Sequence, residues 1–362
     1  VRLGILGGGQ LARMLALAAA PLGVRARVYD PSPDACAGDV CELATGPYED
    51  HARLREFADD LDAITYEFEN VPTNAVDQLA ALVPVRPGAQ SLRLSQDRAF
   101  EKQALTEAGF EVAPWRQVET KGELDDAIAA VGVPAILKTR RGGYDGKGQA
   151  IIADREDTAH AWAAIKGRPA ILESLVSFQR ELSLISVRTS DGSGACYPLV
   201  ENEHRKGILR VTIAPALGVD TDLQRQAEVM AGRLMSSLGH IGVLTIEFFE
   251  VQGRLVANEF APRVHNSGHW TIDGATTCQF ENHVRAVLGM PLGKTKVRSP
   301  TIMLNCVGAM PDKSIVLNDP SAKLHDYRKP ARPERKVGHV NLVGINPVLA
   351  HESAQRLGID LG

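Results

Sequence analysis

Residues 138–149 read Lys-Thr-Arg-Arg-Gly-Gly-Tyr-Asp-Gly-Lys-Gly-Gln, with four glycines set among cations. Apolar stretches at 133–138 and 149–152 predict a strand on either side, so this segment joins strand to strand. That order excludes a Walker A loop, which needs G-x-x-x-x-G-K-[ST] with a helix behind it. A glycine-rich loop between strands can instead lay its amides over a triphosphate. Lys138, ending the first strand, can hold phosphate oxygens as a point charge. The competing reading is a mobile hairpin with solvated charges.

A second glycine cluster opens the chain. Residues 1–6 predict a buried strand and not a signal peptide, since no small-residue cleavage site follows a separate apolar region. Gly7-Gly8-Gly9 leads into an Ala-rich helical pattern at 11–20. Strands at 25–29 and 63–67, with a helical pattern at 52–61, extend the alternation over residues 1–95 and argue for a parallel sheet with crossovers. Gly7-x-Gly9-x-x-Ala12 fits the relaxed dinucleotide fingerprint, and Asp30 stands where a ribose-binding acid would sit. Glycines and exposed amides at a helix start suit any phosphorylated ligand. A nicotinamide site, another phosphate ligand and a plain tight turn all remain open at this point.

Downstream, 96–108 predicts a helix carrying Asp97-Arg98 and Glu101-Lys102, closed by Gly109. The apolar run 171–176 offers backbone groups for an adenine edge, and Glu173 or Glu181 can accept bonds from ribose hydroxyls; either acid also fits a solvated strand position. Stretches 242–249 and 254–260 flank Val251-Gln252-Gly253 and predict a hairpin. Glu247 and Glu259 then fall nearly opposite each other on one face. Facing carboxylates in an apolar hairpin repel. A Mg2+ ion, its oxygen shell completed by nucleotide phosphates, removes that penalty. A carboxyl pair sharing a proton is the alternative.

Bulk properties narrow the class. The 362 residues allow two to three domains. With 40 Lys+Arg against 44 Asp+Glu, the net charge of −4 gives nucleic acid no bulk attraction. No apolar run approaches the roughly 20 residues of a membrane span. Cys36, Cys41, Cys196, Cys278 and Cys306 are scattered, odd in number and without C-x-x-C, which fits a cytoplasmic protein without disulfides or a Cys zinc site.

Together these residues resemble the ATP-grasp superfamily and, within it, the N5-carboxyaminoimidazole ribonucleotide synthetases. The likeness runs nearly the whole chain. It rests on Gly7-Gly8-Gly9-Gln10-Leu11, Tyr66-Glu67-Phe68-Glu69-Asn70-Val71-Pro72, Gln96-Asp97-Arg98 and the loop Gly142-Gly143-Tyr144-Asp145-Gly146-Lys147-Gly148. It continues through Glu201-Asn202-Glu203-His204, the run from Asn258-Glu259-Phe260 through Pro262-Arg263-Val264-His265-Asn266-Ser267-Gly268-His269-Trp270, and Arg335-Lys336-Val337-Gly338-His339.

The resemblance implies mixed α/β and α+β architecture: a Rossmann-like N-terminal domain (1–95), a central ATP-grasp fold (96–298, with a glycine-rich lid lobe at about 115–185) and a small C-terminal domain (299–362). It implies that ATP, bicarbonate and 5-aminoimidazole ribonucleotide give the N5-carboxylated ribonucleotide, ADP and phosphate, and that the first glycine loop serves the ribonucleotide. Arg98, Lys138 and Gly142, Gly143, Tyr144, Asp145, Gly146, Lys147 and Gly148 would hold the phosphates. Glu173, Ser174, Leu175, Val176, Glu181 and His204 would contact the nucleotide, and Glu247 and Glu259 would bind Mg2+ beside Asn258. Arg263 and His265 would join Lys138 as catalytic residues, bordering bicarbonate or carboxyphosphate. Gln10, Leu11, Glu69, Asn266, Ser267, Lys329 and Arg335 would hold the ribonucleotide together with Arg263 and His265, with Tyr144 and Asp145 closing over it. The family implies a homodimer acting on small molecules, with neither nucleic acid nor membrane as partner. His265 and His269 lack an H-E-x-x-H context, so zinc is not expected. The rival functions are another ATP-grasp carboxylate-amine ligase, such as a formate-dependent ribonucleotide transformylase, and a non-catalytic nucleotide-binding module.

Overall fold

Leu3, Ile5 and Leu6 are fully buried in β1 (Arg2–Leu6), as in a strand covered on both faces. The computed structural model, which describes residues 1–143 and 147–362, pairs β1 in parallel with β2 (Arg25–Asp30) and β4 (Ala63–Tyr66). β3 (Glu42–Thr45) extends the sheet from β2, in the order β3-β2-β1-β4. Helices α1 (Gln10–Ala19) and α2 (His51–Ala58) lie in the crossovers, and α3 (Thr73–Ala80) and α4 (Ala89–Ser95) follow. β3 was not legible beforehand because an edge strand with no fully buried residue shows no apolar alternation.

The helical stretch expected over 96–108 begins two residues later, at Arg98. Asp97 is extended, and its carboxylate caps α5 (Arg98–Glu107) by accepting from Ala99 N at 3.1 Å. After the two-residue β5 (Glu111–Val112), the strands β6 (Trp115–Val118), β7 (Ala135–Thr139), β8 (Gln149–Ile152) and β9 (Ala170–Ser174) form a second, antiparallel sheet in the order β6-β9-β7-β8. α6 (Lys121–Val131) packs on β6 and β9, and α7 (Thr158–Ala164) on β8, around a separate core with Leu124, Ile128 and Leu137. This lobe ends with β9. β10 (Arg180–Arg188) already lies in the large sheet, so the lobe is shorter than the expected span to about 185.

The large sheet also contains β11 (Gly194–Cys196), β12 (Val200–Arg205), β13 (Ile208–Ala214), β14 (Gly242–Val251), β15 (Arg254–Ala261), β16 (Thr301–Val307), β17 (Ala322–Asp326) and β18 (Lys336–Val343). Its order is β17-β18-β16-β13-β12-β10-β14-β15-β5, with β11 beside β10. α8 (Thr221–Ser237) is buried against it through Leu223, Ala227 and Leu234. Because β16 pairs with β13, the C-terminal residues continue the central sheet instead of forming one of their own. All five cysteines are free. Among the described residues, no helix is long and apolar enough to cross a membrane.

Candidate active site

Residues of the second and the large sheet, together with α1 and the segment that follows β4, line one cleft of about 1110 Å³. At its N-terminal side the first glycine loop is already occupied by the protein itself. Glu67, just after β4, accepts from Gly9 N at 2.7 Å and Ala12 N at 3.0 Å, while Asp30 accepts from Gly8 N at 2.7 Å. A Cβ on Gly9 would fall 2.5 Å from Glu67 Oε1, so glycine is needed to admit this carboxylate. The amides of Gly8, Gly9 and Ala12 therefore face internal carboxylates and are not offered to a dinucleotide pyrophosphate, which argues against the nicotinamide reading. Burial raises the Glu67 carboxyl, and its two amide partners partly offset this. What the loop presents to the cleft is Gln10 and Leu11.

The nucleotide side is organised by α5. Asp97, buried at its start, accepts from Arg140 at 3.0 and 2.8 Å and from Arg141 at 3.2 Å, tying down the first arm of the glycine loop. Lys138 ends in the cleft and pairs with Glu173 at 2.8 Å. Gly148 takes φ +74° and leaves no room for a side chain, since its Cβ would meet Thr139 Oγ1 at 2.6 Å. Gly142, Gly143 and Lys147 line the cleft. Tyr144, Asp145 and Gly146 lie outside the described residues. Glu181 and His204 line the cleft together, their Oε2 and Nδ1 2.8 Å apart. Burial lowers the His204 imidazole, but Glu181 and Glu247 outweigh it and leave the net shift upward.

Five expected contacts are placed differently. Glu173 is buried behind Lys138, held also by Lys102 at 3.4 Å, so its carboxylate orients cations and does not line the cleft. Ser174, Leu175 and Val176 are likewise outside the lining, and the amides of Ser174 and Leu175 already bond to the carbonyls of Pro114 and Pro134. Ser267 points inward, fully buried against Ser183 Oγ at 2.7 Å. Glu173 and Ser267 face the core side of their segments, which the motif alone cannot report.

The hairpin of β14 and β15 sets Glu247 directly across from Glu259, with an irregularity beginning after Glu247. Glu259 accepts from Arg98 at 3.0 Å, and Glu247 lies 3.1 Å from His265 Nε2. Burial would raise the Glu247 carboxyl, but the His265 hydrogen bond and surrounding positive groups outweigh it and hold it at about 2. That disfavours the shared-proton alternative. Asn258 Oδ1 is buried without a hydrogen-bond partner among the described residues. Two carboxylates and an orphaned amide oxygen form a hard-oxygen set that fits Mg2+, which typically takes one or two carboxylates and completes its shell with phosphates and water. No group of three or more His, Cys, Asp or Glu among the described residues is placed to hold a metal by itself.

Across the cleft, Arg263 forms an ion pair with Glu69. Burial raises the Glu69 carboxyl, yet Arg263 more than offsets this and holds it at about 2. Lys329 Nζ donates to Gln10 Oε1 at 2.5 Å, joining the C-terminal segment to the first glycine loop. Burial lowers the Lys329 ammonium, helped by nearby Arg335 and Lys336. Asn266 and Arg335 also line this side.

Sequence reasoning placed Glu101 and Lys102 on α5 but gave them no role in the site. Glu101 accepts from Phe260 N at 2.7 Å, and burial with the nearby Glu259 charge raises its carboxyl to about 8. Lys102 Nζ donates to Asn258 O at 2.6 Å. The available signal was spacing: positions 98, 101 and 102 share one helix face. Phe249, Ile136 and Arg332 also line the cleft without having been singled out.

Family models match the chain in three blocks: a ribonucleotide synthetase preATP-grasp domain over residues 1–96, an ATP-grasp domain over residues 103–280 and a phosphoribosylaminoimidazole carboxylase C-terminal domain over residues 301–353. The chain is 47% identical over 342 residues to the N5-carboxyaminoimidazole ribonucleotide synthase of Pseudomonas aeruginosa, covering 94% of each chain. It is similar to the solved N5-carboxyaminoimidazole ribonucleotide synthetase of Thermus thermophilus, with a TM-score of 0.94 and 48% identity over 98% of this chain and 97% of that one. The Aspergillus clavatus N5-carboxyaminoimidazole synthase, solved with ADP and 5-aminoimidazole ribonucleotide, gives a TM-score of 0.89 at 31% identity, over 98% of this chain and 96% of that one.

Proposed function

The chain belongs to the N5-carboxyaminoimidazole ribonucleotide synthase family of ATP-grasp ligases, and from this membership and the cleft we infer which residues carry its reaction. The enzyme uses ATP to carboxylate 5-aminoimidazole ribonucleotide to N5-carboxyaminoimidazole ribonucleotide in purine biosynthesis. Bicarbonate is a poor electrophile because hydroxide would have to leave. Transfer of the γ-phosphoryl group to a bicarbonate oxygen releases ADP and gives carboxyphosphate. Its carboxyl carbon is then delivered to the exocyclic amine, with phosphate as leaving group. Such a site must place anions side by side, stabilise charge and exclude water.

The observation that carries the assignment of roles is the gathering of Lys138, Arg98, Arg263 and Lys329 around the facing pair Glu247 and Glu259 in one cleft. Lys138, Arg98 and the loop at Gly142, Gly143, Lys147 and Gly148 hold the ATP phosphates, and Glu181 with His204 holds the nucleoside. Glu247, Glu259 and Asn258 would bind Mg2+, which when bound neutralises charge on the phosphoryl oxygens. Arg263 and His265 border bicarbonate. Gln10, Leu11, Lys329 and Arg335 take the ribonucleotide phosphate, with Glu69 and Asn266 toward its sugar or base. The same proposal places domain boundaries near residues 95 and 298 and has the enzyme work as a cytoplasmic homodimer, whose assembly sedimentation equilibrium reads.

The test is ADP release with ATP, Mg2+ and bicarbonate, with and without 5-aminoimidazole ribonucleotide. Release that depends on both bicarbonate and the ribonucleotide is expected. Turnover with formate in place of bicarbonate would instead favour a ribonucleotide transformylase.

A further inference from the structure

Polar side chains inside a sheet destabilise a fold unless they bond to one another. Ser183, Asn202, Thr212 and Ser267 are all buried, and no binding role above uses them. Three of them sit on adjacent strands of the large sheet: Ser183 opposite Glu247 across β10 and β14, and Asn202 opposite Thr212 across β12 and β13. Their bonds form one directed chain. Thr212 Oγ1 donates to Asn202 Oδ1 at 2.9 Å, and Asn202 Nδ2 donates to Ser183 Oγ at 2.8 Å. Ser183 Oγ donates to Ser267 Oγ at 2.7 Å, which lies 2.8 Å from His265 Nδ1.

A hydroxyl has one proton to give. Ser183 receives the Asn202 amide and passes its own proton toward Ser267, so the proton of Ser267 is left for Nδ1. A longer contact runs with the same polarity. The backbone N–H of Ser267, which can only donate, points at His265 Nδ1 from 3.3 Å. Nδ1 therefore carries the lone pair. The ring proton sits on Nε2, the atom 3.1 Å from Glu247 Oε1.

We propose that Ser183, Asn202 and Ser267 are positioning residues that hold His265 in its Nε2–H tautomer. His265 then serves as a hydrogen-bond donor that orients Glu247 or meets the reacting anion, and it does not act as a base through Nδ1. This rests on the placement of His265 in the active site under the proposed function.

The test reads the imidazole directly, without substrate, from 15N spectra of histidine-labelled full-length protein. His265 is assigned by its loss in His265→Gln. The wild type should show Nδ1 unprotonated and Nε2 protonated. Ser183→Ala breaks the chain, and Asn202→Asp can only accept where the amide donated, which reverses it. Each should remove the single tautomer and lower kcat by about 10- to 100-fold, the range for groups that orient metal ligands. Ser183→Thr, which keeps the hydroxyl, should restore both readouts. A wild-type His265 protonated at Nδ1 would overturn the proposal, as would an unchanged tautomer in Ser183→Ala. A lost tautomer with unchanged kcat would overturn the link to catalysis, even if ribonucleotide-dependent ADP release is intact.

Discussion

Lys102→Met replaces a charge that is 1% exposed with an apolar chain of similar length, and its cost can be worked from the contacts. The Asn258 carbonyl loses a charge-assisted bond of 2.6 Å, worth about 1.5–3 kcal/mol. Glu173 loses its second cation. Breaking a buried pair outright costs about 3–5 kcal/mol, but Glu173 keeps Lys138 at 2.8 Å, so a cost of about 1–2 kcal/mol is appropriate for the longer 3.4 Å contact. Against this, the lysine no longer has to be desolvated, which burial already opposes by lowering its ammonium. A net loss of about 2–4 kcal/mol follows, within what a protein of ordinary stability survives. Urea unfolding without nucleotide measures it. Function should change with it, because Glu173, left with one partner, grips Lys138 harder and withdraws it from phosphate. The KM for ATP should therefore rise while that for the ribonucleotide stays nearly constant. A double-mutant cycle with Glu173→Gln should show coupling of at least about 1 kcal/mol. Additive effects, or a stability change below about 0.5 kcal/mol, would refute the account.

Glu247→Gln and Glu259→Gln should each abolish Mg2+-dependent ADP formation; near-normal turnover in either removes that residue from the metal site. Lys329→Ala should raise the KM for the ribonucleotide about 10- to 100-fold, the loss of one charge-assisted bond, and leave the KM for ATP nearly unchanged. Equal effects on both would move Lys329 away from the ribonucleotide phosphate. Burial holds His240 at about 4 and His283 at about 3, below the 6.5 of a free imidazole, so both are neutral in the fold and bind protons on unfolding. Their stabilisation is complete above pH 6.5 and falls by about 1.4 kcal/mol per pH unit for each as pH drops toward the folded values; a Tm that stays flat from pH 7 to pH 5 would contradict this.

What the sequence disclosed, and what it hid, divides by the reach of each interaction. The facing of Glu247 and Glu259 was legible because a short hairpin fixes register and period-two alternation fixes the face. Lys138 was legible because a cation closing a buried strand before a glycine loop has few other uses. The occupant of the first glycine loop was not. Its spacing describes a cradle for an anion, but Glu67, which fills it, comes from the end of another strand. Glu173 and Ser267 show the complementary limit. Each lies in a segment that the sequence reading assigned to the site, and each turns away from the cleft to a partner distant in sequence, Lys102 for one and Ser183 for the other. Lys102 and Ser183 are polar side chains whose neighbours gave no reason for burial. A local pattern therefore identifies the chemistry that a backbone segment can present, while the groups that orient this chemistry are buried polar residues paired across the fold. Their existence follows from the desolvation cost of leaving any one of them alone, and their identity follows only from the topology that makes β10, β12 and β13 neighbours.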